Sequence, residues 1–84
     1  MQIHELKIWP QFFQTVSDGR QKAEIRRDDR GFEIGDLLIL KEWMPDLKKH
    51  TNRECRVRVT DIVHADPALE GIEDGFCLLS IEAA

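Results

Sequence analysis

Residues 19–36 read Gly19-Arg20-Gln21-Lys22-Ala23-Glu24-Ile25-Arg26-Arg27-Asp28-Asp29-Arg30-Gly31-Phe32-Glu33-Ile34-Gly35-Asp36. Within them Lys22, Glu24 and Arg26 occupy every second position. On a strand these three side chains leave from one face, while Ala23 and Ile25 leave from the other. A strand over Lys22–Arg27 is therefore expected, with a charged face and a buried apolar face. Arg27 to Gly31 then reads as a polar turn, Phe32 returns to the core, and Gly35-Asp36 turns into the next strand. A charge run of this kind is either a solvated hairpin or the wall of a pocket, and the pattern alone leaves both open.

Working outward, Ile3–Ile8 alternates as a first strand with His4, Leu6 and Ile8 on one side. Pro10 suits a first helical turn, Phe12, Phe13 and Val16 form an apolar stripe, and Gly19 is a natural stop, which predicts a helix ending there. Trp9-Pro10 reads as a packed corner, and Phe12, Phe13, Val16 and Ile34 as core. Leu37–Trp43 forms a third strand whose Leu37-Leu38-Ile39-Leu40 run implies burial on both faces. Met44–Asn52 is expected to be a polar connection. Arg53–Val63 is a long alternating strand with Cys55, Val57 and Val59 inside and Arg56 and Arg58 outside. Asp66 to Gly75 is an acidic loop with one helical turn at Ala68-Leu69-Glu70, and Phe76–Ile81 closes the sheet. The reading is an α+β, mostly β fold over residues 1–84. It is one small barrel of about five strands, with one well-marked helix after the first strand.

Charge and cysteines narrow the function. The net charge of −4 argues against nonspecific coating of nucleic acid. Eleven of the twelve Lys and Arg residues nevertheless lie between Arg20 and Arg58, and none follows Val59. No apolar run reaches the roughly 18 residues of a membrane span, and the first residues lack a signal-peptide pattern, so a cytoplasmic place is expected. Cys55 and Cys77 sit in apolar alternation and read as buried reduced thiols. Zinc-type spacing is absent, so neither a metal nor a cofactor is expected.

The order of Gly19, Glu24 and Arg26 resembles the Gly-x-Lys-x-x-Glu-x-Arg signature of ASCH domains, the small PUA-like β-barrels. Arg26 to Arg30, Phe32, Gly35-Asp36 and the strand ending Glu42-Trp43 extend the likeness. Upstream, His4-Glu5-Leu6-Lys7-Ile8 and the Phe12-Phe13-x-x-Val16 segment fit it too. The group concerned is a small ASCH-like one from bacteria and phages. The resemblance implies an RNA- or nucleotide-binding domain with a cleft beside the signature strand.

In that cleft Lys22, Glu24, Arg26, Arg30 and Trp43 are the expected contacts. Glu24 would accept from a base, Arg26 would fork onto phosphate or a base edge, and Arg27 and Arg30 would meet phosphate. Thr51-Asn52-Arg53 and Lys48-Lys49 would form the opposite lip. Rival readings stand beside these: a mutual ion pair for Glu24 and Arg26, exposed charge for Arg27 and Arg30, core packing for Trp43, and a turn cap for Asp29. Some ASCH relatives hydrolyse acylated cytidine with a lysine and a threonine near the signature glycine. Here Gln21 and Glu24 hold those positions, so the resemblance leans away from an enzyme. A hydrolase using Lys22 and Glu24 in altered roles, and a protein-interaction module using the acidic loop, are the alternatives.

Overall fold

The computed structural model describes residues 1–84. Five strands and one helix follow in the order β1 (Ile3–Ile8), α1 (Pro10–Ser17), β2 (Ala23–Arg27), β3 (Leu37–Met44), β4 (Lys49–His64) and β5 (Phe76–Ala83). The mostly β reading, with one helix after the first strand, describes this chain. The strands form a single sheet in the order β1-β3-β4-β5-β2. β1 runs parallel to β3, and every other pair is antiparallel.

The sheet curls into a half-barrel, and β4 is its corner. At sixteen residues it is twice the length of β3 or β5. Its first part pairs with β3 and its second with β5. An extra residue, Thr60, shifts the register between Val59 and Asp61. Such a bulge bends a strand and strengthens its twist. It also moves the inward phase by one position, so Ile62 follows Val59 onto the core face. The inner face is filled by Leu6, Ile8, Leu38, Leu40, Val57, Val59, Cys77, Leu79 and Ile81, with Phe13 and Val16 of α1 as a lid and Phe32 completing it. The helix has no side-chain cap at its start. It ends at Ser17, and Gly19 just beyond the Asp18 cap has a φ of +81°, a conformation L side chains rarely adopt.

Several expectations fail, each for a local reason. Met44–Asn52 is not a loop: β4 begins at Lys49, and Met44 pairs with it, leaving a four-residue turn. The charges there lie on an open hairpin, which solvates them without breaking the ladder. Leu37 and Ile39 are only half-buried, because no layer packs on the outer face of β3. Ile34 is 65% exposed at a turn rather than in the core. The 66–75 segment holds turns, not a helix, with the Leu69 amide donating to the Asp66 carbonyl. Asp29 caps nothing. It is Asp28 whose amide donates to the Gly75 carbonyl and whose carboxylate meets His64 at 2.7 Å.

Candidate nucleic-acid interface at the sheet seam

The burial phase of β2 is opposite to the one its hydrophobicity predicts. Glu24 is 7% exposed and faces inward with Arg26, whereas Ile25 is 62% exposed and Ala23 is also outward. The register explains the reversal. Glu24 pairs with Leu79 and Arg26 with Cys77, two residues of the buried face of β5. Side chains opposite one another share a face, so the charged positions must enter the half-barrel.

Burying those charges requires partners. Arg26 Nε donates to Glu24 Oε2 at 2.8 Å, and Gln21 Nε2 donates to Glu24 Oε1 at 3.3 Å. Thr15 Oγ1 in turn donates to Gln21 Oε1 at 3.0 Å, so the helix end holds the amide in place. Of the two readings of Glu24 and Arg26, the mutual ion pair is therefore present. It does not exhaust either group. A carboxylate has about four lone-pair sites and a guanidinium five N–H donors, and both retain unused ones.

β1 and β2 are the two edges of the sheet, and no backbone ladder joins them. Arginines do so instead. Arg26 Nη1 donates to the Lys7 carbonyl at 2.9 Å, and Arg30 Nη1 to the Glu5 carbonyl at 3.2 Å. The Gln2 carbonyl points toward β3 and accepts from the Leu37 amide, so by alternation the carbonyls of Glu5 and Lys7 point away from β3 into the seam. Two cavities lie along it. One, of about 280 Å³, is lined by Lys7, Trp9, Phe12, Glu24, Ile25 and Arg26 with Ile8 behind them. The other, of about 170 Å³, includes Arg26, Arg27, Asp29 and Arg30. Arg26 borders both.

Not all expected site residues gather there. Lys22 precedes β2 and is exposed beside a different cavity with Val16, Val57 and Ile81. Trp43 leaves the opposite face of β3 from the buried Leu38, Leu40 and Glu42. Lys7 Nζ lies 3.9 Å over its ring, and His50 meets it in a T-shaped arrangement with ring centres 4.8 Å apart. Trp43 does not face Glu24. Arg53 belongs to a second constellation. Thr51, Asn52 and Arg53 stand opposite Glu42 alone, because Lys41 pairs with Glu54 and Trp43 with His50. Asn52, at φ +70°, makes that bulge, and it turns Thr51 and Arg53 inward together. Arg53 grips the buried Glu42 with two bonds of 2.9 and 3.0 Å, and Thr51 Oγ1 donates to the same carboxylate. The Arg53 and Thr51 bonds hold the Glu42 carboxyl below its ordinary range. Arg53 also lies 4.5 Å over the Phe13 ring. Lys48 and Lys49 stay at the exposed hairpin.

Two site candidates escape the sequence reading. Trp9 is 50% exposed and Phe12 48% exposed, so neither is the packed corner or core residue expected. Of the expected apolar stripe only Phe13 and Val16 are buried; Phe12 shares helical spacing with Val16, so no local signal sets it apart. The two thiols are free, and burial pushes both above the ordinary cysteine range. Thiolate nucleophiles need the reverse shift. No group of three or more metal-ligating side chains comes together, and no helix is long and apolar enough to cross a membrane.

Asp36 is a further buried acid with a structural task. It accepts from the Gln2 amide, the Glu33 amide and His4 Nε2, each at 2.9 Å. This anchors the start of β1 to the turn before β3.

Residues 3–81 match the family described as "Domain of unknown function (DUF3850)", and the chain belongs to that family. It is also similar to the "Uncharacterized 12.9 kDa protein in GpA 3'region" of Escherichia phage P2, at 40% identity over 68 residues. Those residues are 81% of this chain and 61% of the phage protein, so the chain spans less than two thirds of that relative's length.

Proposed function

We propose that this DUF3850 member is an ASCH-like, PUA-superfamily domain that binds RNA or a nucleotide at the β1–β2 seam, in the cytoplasm. The observation that carries the reading is the Glu24–Arg26 pair, held inward at 2.8 Å on the border of a cavity of about 280 Å³. An ion pair used only for stability has no need of an adjoining groove rimmed by further cations. Here Arg27 and Arg30 border the neighbouring cavity of the same seam, which Arg26 shares. Glu24 keeps acceptor sites for the amino or imino hydrogens of a base, and Arg27 and Arg30 offer donors to phosphate. Arg26 orients Glu24 and bridges the seam rather than serving as the main phosphate ligand.

The hydrolase alternative has less support. Gln21 and Glu24, at the lysine and threonine positions of the acylcytidine-hydrolysing relatives, are bonded to each other. An amide is not a general base, and a carboxylate tied by Arg26 lacks the hydroxyl that mechanism requires.

Fluorescence anisotropy with a labelled oligoribonucleotide tests the binding reading. Affinity is expected to fall with salt at a shallow slope, reflecting two or three phosphate contacts. Changing Arg27 and Arg30 together to Gln should weaken binding and flatten that slope. Equal binding by the double variant at low salt overturns the reading.

A further inference from the structure

We infer that the seam takes single-stranded nucleic acid, with unpaired bases stacked on Trp9 and Phe12 and the backbone running past Arg27 and Arg30. This rests on the nucleic-acid reading above and narrows it to a strand class. Trp9 and Phe12 border the larger cavity, and both are about half exposed. Neither ring is paired with another ring or covered by a cation. Trp43, by contrast, has Lys7 Nζ over its ring and a T-shaped contact with His50. Large aromatic surface held open beside a groove is what a stacking platform requires, since every base has a π-face.

Charge along the groove supports the same occupant. With the Lys7 ammonium held over Trp43, Arg26, Arg27 and Arg30 border the two cavities against Glu24 and Asp29. That is a positive excess in a chain whose net charge is −4. The carbonyls gripped by Arg26 and Arg30 are two residues apart on β1, or about 6.6 Å. This is the scale of one step along an extended single strand. A duplex keeps its bases stacked on each other and leaves none for Trp9 and Phe12. A free mononucleotide fills one cavity and leaves the other cationic stretch unused.

The test uses the full chain carrying Trp43→Phe, which leaves Trp9 as the one tryptophan. It is titrated at low salt with single-stranded RNA and DNA of about eight nucleotides, a hairpin duplex of the same RNA, and adenosine monophosphate. Single strands are expected to quench Trp9 fluorescence and to bind at least about tenfold more tightly than the hairpin or the mononucleotide. Trp9→Ala or Phe12→Ala, read by anisotropy and checked for folding by thermal unfolding, should weaken binding about five- to 150-fold. Trp9→Phe should retain most of the affinity. Equal binding of hairpin and single strand overturns the inference, as does mononucleotide binding as tight as oligonucleotide binding. If the alanine variants bind normally while the Arg27/Arg30 double variant does not, stacking is wrong and the nucleic-acid reading survives. If no nucleic acid binds, both fall.

Discussion

Arg26 Nη1 lies 2.9 Å from the carbonyl oxygen of Lys7, although β2 and β1 are the opposite ends of the sheet. The same guanidinium holds Glu24 through Nε. One side chain thus neutralises a buried acid and ties the two edges of a half-barrel that no backbone ladder closes.

Replacing Arg26 should therefore destabilise the fold as well as alter the cleft. Arg26→Met leaves Glu24 buried without its cation, a change of about 3 kcal/mol. The lower end of the usual range is expected because Arg26 retains about a fifth of its exposure. Arg26→Lys should rescue little, since one ammonium cannot reach both partners in a fork geometry. Adding Glu24→Gln to Arg26→Met should recover part of the loss, which urea unfolding in a double-mutant cycle measures.

Acid should unfold the protein partly through Asp36. Burial pushes its carboxyl upward, but the Gln2 amide, His4 and the Glu33 amide outweigh this and leave it below its ordinary value. A depressed carboxylate binds fewer protons folded than unfolded. Its stabilisation is thus complete above about pH 4 and is lost as pH falls through the folded value. Asp36→Asn should cost about 1–3 kcal/mol at neutral pH and flatten the acid limb of a stability–pH curve. An unchanged acid limb would remove Asp36 from that role.

The bulge around Glu42 offers a separate test. Thr51→Val deletes the hydroxyl that donates to the buried carboxylate and should cost about 1.5–3 kcal/mol. Because Glu42 is held low by Arg53 and Thr51, the loss should be evident at neutral pH and shrink in acid. Chemical denaturation at pH 7 and pH 3 reads the difference.

The phase of β2 can be checked by comparing two apolar residues. Ile25 is largely exposed and Leu79 is fully buried. Ile25→Thr should change stability by no more than about 0.5 kcal/mol, whereas Leu79→Ala should cost about 2–5 kcal/mol. Similar losses at both positions would mean that Ile25, not Glu24, faces the core.

Alternation and turn chemistry were enough to read the architecture. His4, Leu6 and Ile8 on β1, and Cys55, Val57 and Val59 on β4, lie on the side their period assigns. Phe13 and Val16 bury the helix between Pro10 and Gly19. The same local pattern placed Glu24 and Arg26 on one face of a strand. It did not determine which face was the inner one, because hydrophobicity favoured Ile25 and pairing with β5 favoured Glu24.

That choice belongs to the tertiary structure. Sequence sets the two-residue period of a strand, a property of the local backbone. Whether the charged set faces inward depends on register with Leu79 and Cys77, more than fifty residues away. The seam between β1 and β2, the Glu42 clamp across the β3–β4 bulge, and the exposure of Trp9 and Phe12 likewise arise only when distant segments meet. Their energies come from contacts absent in the unfolded chain, so no local pattern carries them.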